Sequence, residues 1–199
     1  MASYGETVNT LIEQFARLPG IGRKSAERLA YHLLRVPPQE AFALADAIRQ
    51  VRERVQHCEI CYMLAEESTC EICQNPNRDT STICIVEQPR DVMALEQIGT
   101  YKGLYHVLLG RIAPLDGVGP EDLTIEPLVE RVQAGTVEEI IMATNPTVEG
   151  DGTALYISNR LQDFPVKVTR LARGINAGTV LEYANREMLS DALNGRQAF

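Results

Sequence analysis

The chain has 199 residues, of which 45% are hydrophobic and 23% are charged, and its formal net charge is −8. This length suits one large or two small domains, and the composition excludes a chain that is disordered throughout. No stretch reaches the roughly 18 apolar residues of a membrane span, and the first ten residues, MASYGETVNT, lack the basic and apolar segments of a secretory signal. We therefore expect a cytoplasmic protein without a membrane partner.

The charge is unevenly distributed along the chain. Residues 1–57 contain eight Lys and Arg and six Asp and Glu, a net charge of +2, whereas residues 58–199 contain eleven and twenty-one, a net charge of −10. The N-terminal quarter could therefore face a polyanion, and the remainder would repel one unless a metal or a protein partner intervenes.

The N-terminal quarter has the apolar periodicity of three helices. The first is predicted over residues 6–17, the second runs up to the Pro37-Pro38 break, and the third covers residues 38–56. The segment LPGIG at residues 18–22 separates the first two helices, because a proline and two glycines favour a tight turn.

This glycine-rich turn could in principle bind phosphate in three ways. A dinucleotide fingerprint needs a preceding strand and a third glycine, but a helix precedes the turn and Ser25 occupies that position. A P-loop fails because Arg23 replaces the glycine before Lys24. The remaining interpretation is a helix-hairpin-helix motif.

In such a motif, glycines let backbone amides approach a phosphate at the start of the second helix, where the helix dipole favours an anion. Lys24 and Arg28 are four residues apart and share one helix face. The motif predicts a sequence-independent contact with the DNA backbone, and the alternative is a plain helical hairpin with solvated charges. The candidate DNA-binding residues are Gly20, Gly22, Arg23, Lys24 and Arg28.

Four of the five cysteines form two C-x2-C pairs, Cys58/Cys61 and Cys70/Cys73, separated by eight residues. Two such pairs can close a tetrahedral shell of four thiolates, which suits a structural Zn2+ ion with no open position. Redox dithiols or free thiols are the alternative, which the doubled spacing disfavours.

The region after the cysteines alternates strands with helices, which predicts an α/β layer with a mostly parallel sheet. Strands are predicted over residues 83–86, 105–109, 139–144 and 166–171. Helices are predicted over residues 91–98, 126–133, 153–161 and 182–193.

Three carboxylates follow two of these strands. Glu87 ends the first strand, and Glu149 and Asp151 come after the third. Ligand sites in open α/β sheets gather at the carboxyl ends of strands, so these side chains could hold Mg2+. By spacing alone, a solvated loop in which Asp151 or Thr153 caps the next helix is the better interpretation.

The order of these pieces closely resembles the RecR family of bacterial recombination proteins over essentially the whole chain. The resemblance rests on LPGIGRKSAERLAYHLL, the cysteine pairs, ICIVEQPRDVMALE, GLYHVLLGRIAPLDGVGP and TVEGDGTALYI. It implies a helix-hairpin-helix domain (1–57), a four-cysteine zinc finger (58–80), a Toprim-like α/β domain (81–175) and a C-terminal helical tail (176–199). It also implies a ring-like homotetramer, built as a dimer of dimers, that clamps DNA at the nucleoid and acts with RecO and RecF to load RecA at single-stranded gaps.

Carried over residue by residue, the resemblance assigns functions to nine side chains. The DNA-binding basic pair is Lys24 and Arg28. The zinc ligands are Cys58, Cys61, Cys70 and Cys73, and the Toprim acidic positions are Glu87, Glu149 and Asp151.

The chain departs from the catalytic members of the wider Toprim superfamily. It has Glu149-x-Asp151 where topoisomerases and primases carry a D-x-D pair, and no tyrosine nucleophile is evident. We therefore expect a non-enzymatic mediator whose acidic surface binds partners. The alternatives are a metal-dependent Toprim phosphotransferase or nuclease that uses the three carboxylates, and a zinc-stabilised adaptor that does not contact DNA.

Overall fold

In the computed structural model of the chain, which describes residues 5–196, the backbone divides between Val55 and Gln56 into two units. The first four residues of the predicted N-terminal domain and the last three of the predicted tail lie outside the described residues. No helix within residues 5–196 is both long and apolar enough to cross a membrane.

The first unit consists of three helices, as predicted: α1 (Glu6–Ala16), α2 (Arg23–Arg35) and α3 (Pro38–Arg54). Ile12 of α1 packs against Ala26 and Ala30 of α2, and all three side chains are buried. The two alanines are small, so α1 and α2 can approach closely and hold the hairpin between them in a fixed geometry. Pro38 starts α3 because its missing amide proton costs nothing in the first turn.

Helix α3 has no buried residue, although it carries several large apolar side chains. Leu44, Ile48 and Val51 follow one another at helical spacing and are 44%, 58% and 58% exposed, and Phe42 is 66% exposed. Apolar residues at this spacing form a continuous stripe, which a helix normally buries. We refer to Leu44, Ile48 and Val51 as the α3 apolar face; Phe42 lies on the opposite side of the helix.

The second unit begins with the cysteine segment. Strands β1 (Gln56–His57) and β2 (Leu64–Ala65) pair antiparallel around the first cysteine pair, and the short helix α4 (Glu71–Gln74) contains the last cysteine. The segment has little secondary structure, and small segments of this kind usually need a metal ion or disulfides to be stable.

A four-stranded sheet follows, formed by β3 (Asp79–Val86), β4 (Gly103–Val107), β5 (Glu139–Met142) and β6 (Lys167–Arg170). The strand order is β4-β3-β5-β6 and every pair is parallel, which confirms the predicted parallel sheet. The long helices of this unit are α5 (Pro89–Ile98), α6 (Ile125–Gln133), α7 (Val148–Arg160) and α8 (Arg186–Asn194).

Successive residues of β3 point to opposite faces of the sheet, so the strand contributes to two cores. Ile83 and Ile85 lie in a core with side chains of α6 and α7, whereas Cys84 and Val86 lie in a core with Val92 of α5. Both faces are therefore covered, as expected of a parallel sheet.

Two helix starts differ from the sequence prediction by four or more residues. Helix α7 begins at Val148 instead of residue 153, because the Thr147 hydroxyl accepts a hydrogen bond from the Gly150 amide and caps the helix. The expected cap at Asp151 or Thr153 is therefore wrong, and Glu149 and Asp151 lie in the first turn of α7. Helix α8 begins at Arg186 instead of residue 182, capped by Asn185.

Candidate functional sites

The hairpin between α1 and α2 leaves the first backbone amides of α2 without a side chain to accept their hydrogen bonds. Gly20 has φ +78°, a left-handed conformation that favours glycine, and Gly22 is the N-cap residue. No side chain caps α2, and its first turn has no acidic residue. The first amides of a helix lack partners inside the helix, so this end of α2 suits an anion such as a phosphate.

The basic residues of α2 differ in how available they are. Lys24 and Arg28 are exposed, and neither forms an ion pair within residues 5–196. Arg23 is also exposed, but its Nε lies 3.5 Å from Glu27 Oε1. The structure thus places two unpaired cations near the uncapped end of α2, beside a third that is partly neutralised.

The two cysteine pairs meet in the second unit. The Sγ atoms of Cys58, Cys61, Cys70 and Cys73 all lie within 4.8 Å of one another, and those of Cys61 and Cys70 are 3.5 Å apart. Four thiolates at the Zn–S distance of about 2.3 Å around one ion would lie about 3.8 Å apart, so the cluster fits a tetrahedral Zn2+ site. His57 is not part of the cluster, since its Nδ1 lies 3.1 Å from the Tyr62 carbonyl oxygen.

Backbone amides surround the first cysteine. Burial raises the pKa of the Cys58 thiol, but hydrogen bonds from the amides of Cys61, Cys70 and Ile60 outweigh it and lower the pKa to about 7. The pKa of Cys70 is raised to about 11, chiefly by burial. The amides therefore favour one thiolate, whereas ionisation of the whole set requires a cation to offset burial and mutual repulsion.

A buried polar network lies beside the cysteine cluster. Arg131 Nη1 of α6 donates hydrogen bonds to the Tyr105 carbonyl oxygen at 2.9 Å and to His106 Nδ1 at 3.1 Å. The opposite ring nitrogen of His106 lies 2.8 Å from the Thr124 carbonyl oxygen. Arginine can only donate, so His106 is neutral and carries its proton on Nε2.

Of the three acidic residues, Glu87 is buried and fully occupied. It is 2% exposed, and its two carboxylate oxygens accept hydrogen bonds from the amide and the side chain of Asn145 at 2.7 and 2.8 Å. Glycine is required at position 150, where an added Cβ would lie 2.1 Å from the Asn145 carbonyl oxygen. Glu87 therefore ties the end of β3 to the loop before α7.

Asp151 and Glu149 lie on the surface and differ in their partners. Asp151 forms a two-pronged ion pair with Arg173, whose hydrogen bonds, together with its charge, lower the pKa of the Asp151 carboxyl. Glu149 is exposed and forms no ion pair within the described chain. Within residues 5–196, the four cysteines are the only group of three or more His, Cys, Asp or Glu side chains whose ligand atoms lie close enough to share one metal ion.

Comparisons with known proteins cover the whole described fold. Residues 8–52 match the RecR helix-hairpin-helix family, residues 55–75 the RecR four-cysteine zinc finger domain, and residues 81–172 the Toprim domain. Recombination protein RecR from Rhodopirellula baltica is 63% identical over 99% of both chains. The chain belongs to the RecR family.

Other RecR relatives are similar over their full length. The protein from Desulforudis audaxviator is 51% identical over 98% of both chains, and that from one Dehalococcoides mccartyi strain is 48% identical over 100% of this chain and 98% of its own. The resemblance inferred from the sequence is confirmed. The cysteine cluster occupies the position of the RecR zinc finger, and the parallel sheet that of the Toprim domain.

Sequence reasoning missed two features of this RecR-family chain. The first is the contact between Glu87 and Asn145, which are 58 residues apart in the sequence, so no short-range motif links them. Arg131 was part of a predicted helix and carried no motif. Only packing of α6 against β4 brings it to His106.

Proposed function

We propose that this RecR-family chain is a DNA-binding mediator of recombinational repair. The observation that carries the proposal is the uncapped start of α2 with the unpaired Lys24 and Arg28 beside it. Backbone amides and two flexible cations can bind phosphates without reading bases, which suits a protein that acts at gaps of any sequence. It would act with RecO and RecF to load RecA at single-stranded gaps, without catalysing a reaction itself.

The four cysteines would hold one structural Zn2+ ion. When bound, the ion supplies folding free energy to a segment too short to gain it from burial. Four thiolates leave no open coordination position, so the site would not take part in chemistry. We propose this zinc finger for residues 58–80, between a DNA-binding domain (1–57) and a Toprim-like domain (81–175), with residues 176–199 as the tail.

A ring-like homotetramer, formed as a dimer of dimers, would explain how an acidic chain binds DNA. The α3 apolar face supports assembly through the first unit, because an exposed apolar stripe of this kind marks a protein contact. A ring could gather several Lys24/Arg28 pairs around DNA while the acidic domains face outward.

The acidic surface of the second unit would bind RecO. Glu149 is the best candidate, since it is exposed and unpaired, whereas the Asp151 carboxylate is already held by Arg173. Charge complementarity with a basic partner speeds encounter and selects the partner. In the alternative, a Mg2+-dependent phosphotransferase or nuclease, Glu87 and Asp151 would have to bind a cation with oxygens that already contact Asn145 and Arg173.

The test measures RecO affinity and Mg2+-dependent DNA cleavage on the same proteins. Glu149→Gln should weaken RecO binding, most visibly at low salt, while DNA binding persists. Glu130→Gln removes another exposed carboxylate, on α6, and should leave RecO affinity unchanged. Cleavage by the wild type that is abolished in Glu149→Gln, with unchanged RecO affinity, would replace the mediator by the nuclease.

A further inference from the structure

We propose that Arg131 is the counter-charge of the four-thiolate zinc site and couples the metal to the central sheet. The inference rests on the structural zinc proposed above. It assigns a role to a charged residue that belongs to neither the DNA-binding end of α2 nor the acidic surface.

Arg131 is a partly buried cation whose hydrogen-bond acceptors are both neutral. Its Nη1 contacts a backbone carbonyl oxygen and the unprotonated nitrogen of His106. None of the ion pairs formed within residues 5–196 includes Arg131. A shielded charge with no opposite charge near it is strongly unfavourable, so an anion is expected close by.

The cysteine segment reaches the same part of the molecule. The Val107 amide donates to the Cys61 carbonyl oxygen at 2.8 Å, and the ring of Tyr62 lies edge-on to that of His106 with 5.5 Å between centroids. His106, which binds Arg131, thus contacts Tyr62, and the next residue of β4 contacts Cys61. Burial lowers the pKa of Arg131, and the negative charges of all four cysteines oppose that shift.

The charges of the site favour such a neighbour. Four thiolates around Zn2+ leave two net negative charges in a cluster whose cysteines are mostly buried. One guanidinium nearby offsets half of this excess. Groups just outside a metal's ligands orient those ligands and tune the affinity in this way.

His106 stays neutral, so Arg131 is the positively charged member of this pair. Burial lowers the pKa of His106 to about 3, and the charge of Arg131 contributes to this lowering. The histidine therefore stays neutral at physiological pH and serves as an acceptor that holds the guanidinium in place. Arg131 supplies the charge, and His106 fixes its position.

The experiment compares zinc retention in full-length variants, measured as the rate and extent of zinc transfer to a coloured chelator. Arg131→Met removes the charge and keeps much of the side-chain volume, and it should weaken zinc binding about 10–100-fold, the usual effect of removing a group that supports a metal's ligands. Arg131→Lys keeps the charge and should retain zinc within about threefold of the wild type. His106→Gln should lower the unfolding temperature but retain zinc, because the glutamine amide oxygen can still accept a hydrogen bond from Arg131.

The control is Arg160→Met, which removes an exposed arginine of α7 that pairs with Glu126 and should not affect zinc retention. Cobalt substitution gives a second readout, since the thiolate-to-cobalt absorption band should shift in Arg131→Met and not in His106→Gln. Zinc affinity in Arg131→Met within twofold of the wild type would overturn the inference.

A decrease in zinc affinity of tenfold or more in Arg131→Lys would also overturn the inference, and this comparison decides it if Arg131→Met does not fold. A wild type that binds no zinc would instead remove the metal site on which the inference rests. The two failures are therefore distinguishable.

Discussion

The two unpaired cations of α2 make a quantitative prediction about DNA binding. Removing one phosphate contact lowers the slope of log affinity against log salt by about 0.9 on duplex DNA and about 0.7 on single strands. The double variant Lys24→Ala/Arg28→Ala should therefore flatten the slope by about 1.8 or 1.4 for each engaged subunit. Over a fourfold rise in salt, wild-type affinity for duplex DNA should fall about twelve-fold more than that of the variant.

The structure also predicts an order among single variants. Lys24→Ala and Arg28→Ala should each have about half the effect of the double variant, and Arg23→Ala should have less, because Glu27 already pairs with Arg23. The control is Arg49→Ala on α3, which removes an equal charge from a residue paired with Asp46 at 3.1 Å.

Fluorescence anisotropy of a labelled oligonucleotide, titrated from about 50 to about 200 mM salt, measures these slopes. Neither cation of the double variant is buried, so its unfolding free energy should stay within about 0.5 kcal/mol of the wild type. Unchanged affinity and slope in the correctly folded double variant would refute the proposed contact and place the DNA site elsewhere.

Three further predictions concern the second unit. Cys58→Ser should abolish retention of about one zinc per chain and lower the unfolding temperature, as metal analysis and calorimetry can check; unchanged metal content would contradict the ligand set. Burial, with the charge of a neighbouring arginine, lowers the pKa of His106 from 6.5 to about 3, so its stabilising effect is complete above pH 6.5 and is lost as pH falls towards 3. Between pH 6.5 and 5 the wild type should lose about 2 kcal/mol in urea unfolding from this source, a decrease that His106→Gln should largely remove; equal decreases would contradict the buried neutral histidine. Gly150→Ala should destabilise the protein by about 1–3 kcal/mol, because the added Cβ would overlap the Asn145 carbonyl oxygen. Gly152→Ala is the control: its Cβ meets open space, so it should stabilise α7 by about 0.5–1 kcal/mol. If urea unfolding shows the same sign of change in the unfolding free energy for both variants, this packing is contradicted.

Local signals predicted much of the fold. The three N-terminal helices follow from apolar spacing and from breaks at Gly20 and Pro37, and the cysteine cluster follows from two short-range pairs. The parallel sheet follows from the alternation of apolar runs with amphipathic segments. Each of these signals spans only a few residues, so each element can be predicted from residues that are close together in the sequence.

The errors arose where local signals conflict or where contacts join distant residues. Gly150 and Gly152 made the start of α7 resemble a loop, because glycine is a poor helix former, but Gly150 is required by the close approach of Asn145. Strand β3 begins at Asp79, earlier than the apolar run that predicted it, since the polar residues at its start pair with β4 and β5. The partners of Glu87 and Arg131 depend on the packed tertiary structure alone.

Strand β4 lies at the end of the sheet, where its outward backbone groups have no neighbouring strand within the described chain. The Val107 amide is instead taken by the Cys61 carbonyl oxygen, the Val107 carbonyl oxygen by the Thr124 hydroxyl, and the Tyr105 carbonyl oxygen by Arg131. A bare edge strand is a template on which other chains can add strands and aggregate. The cysteine segment therefore shares the protection of this edge with Thr124 and Arg131, and its displacement would free the Val107 amide for pairing with another strand.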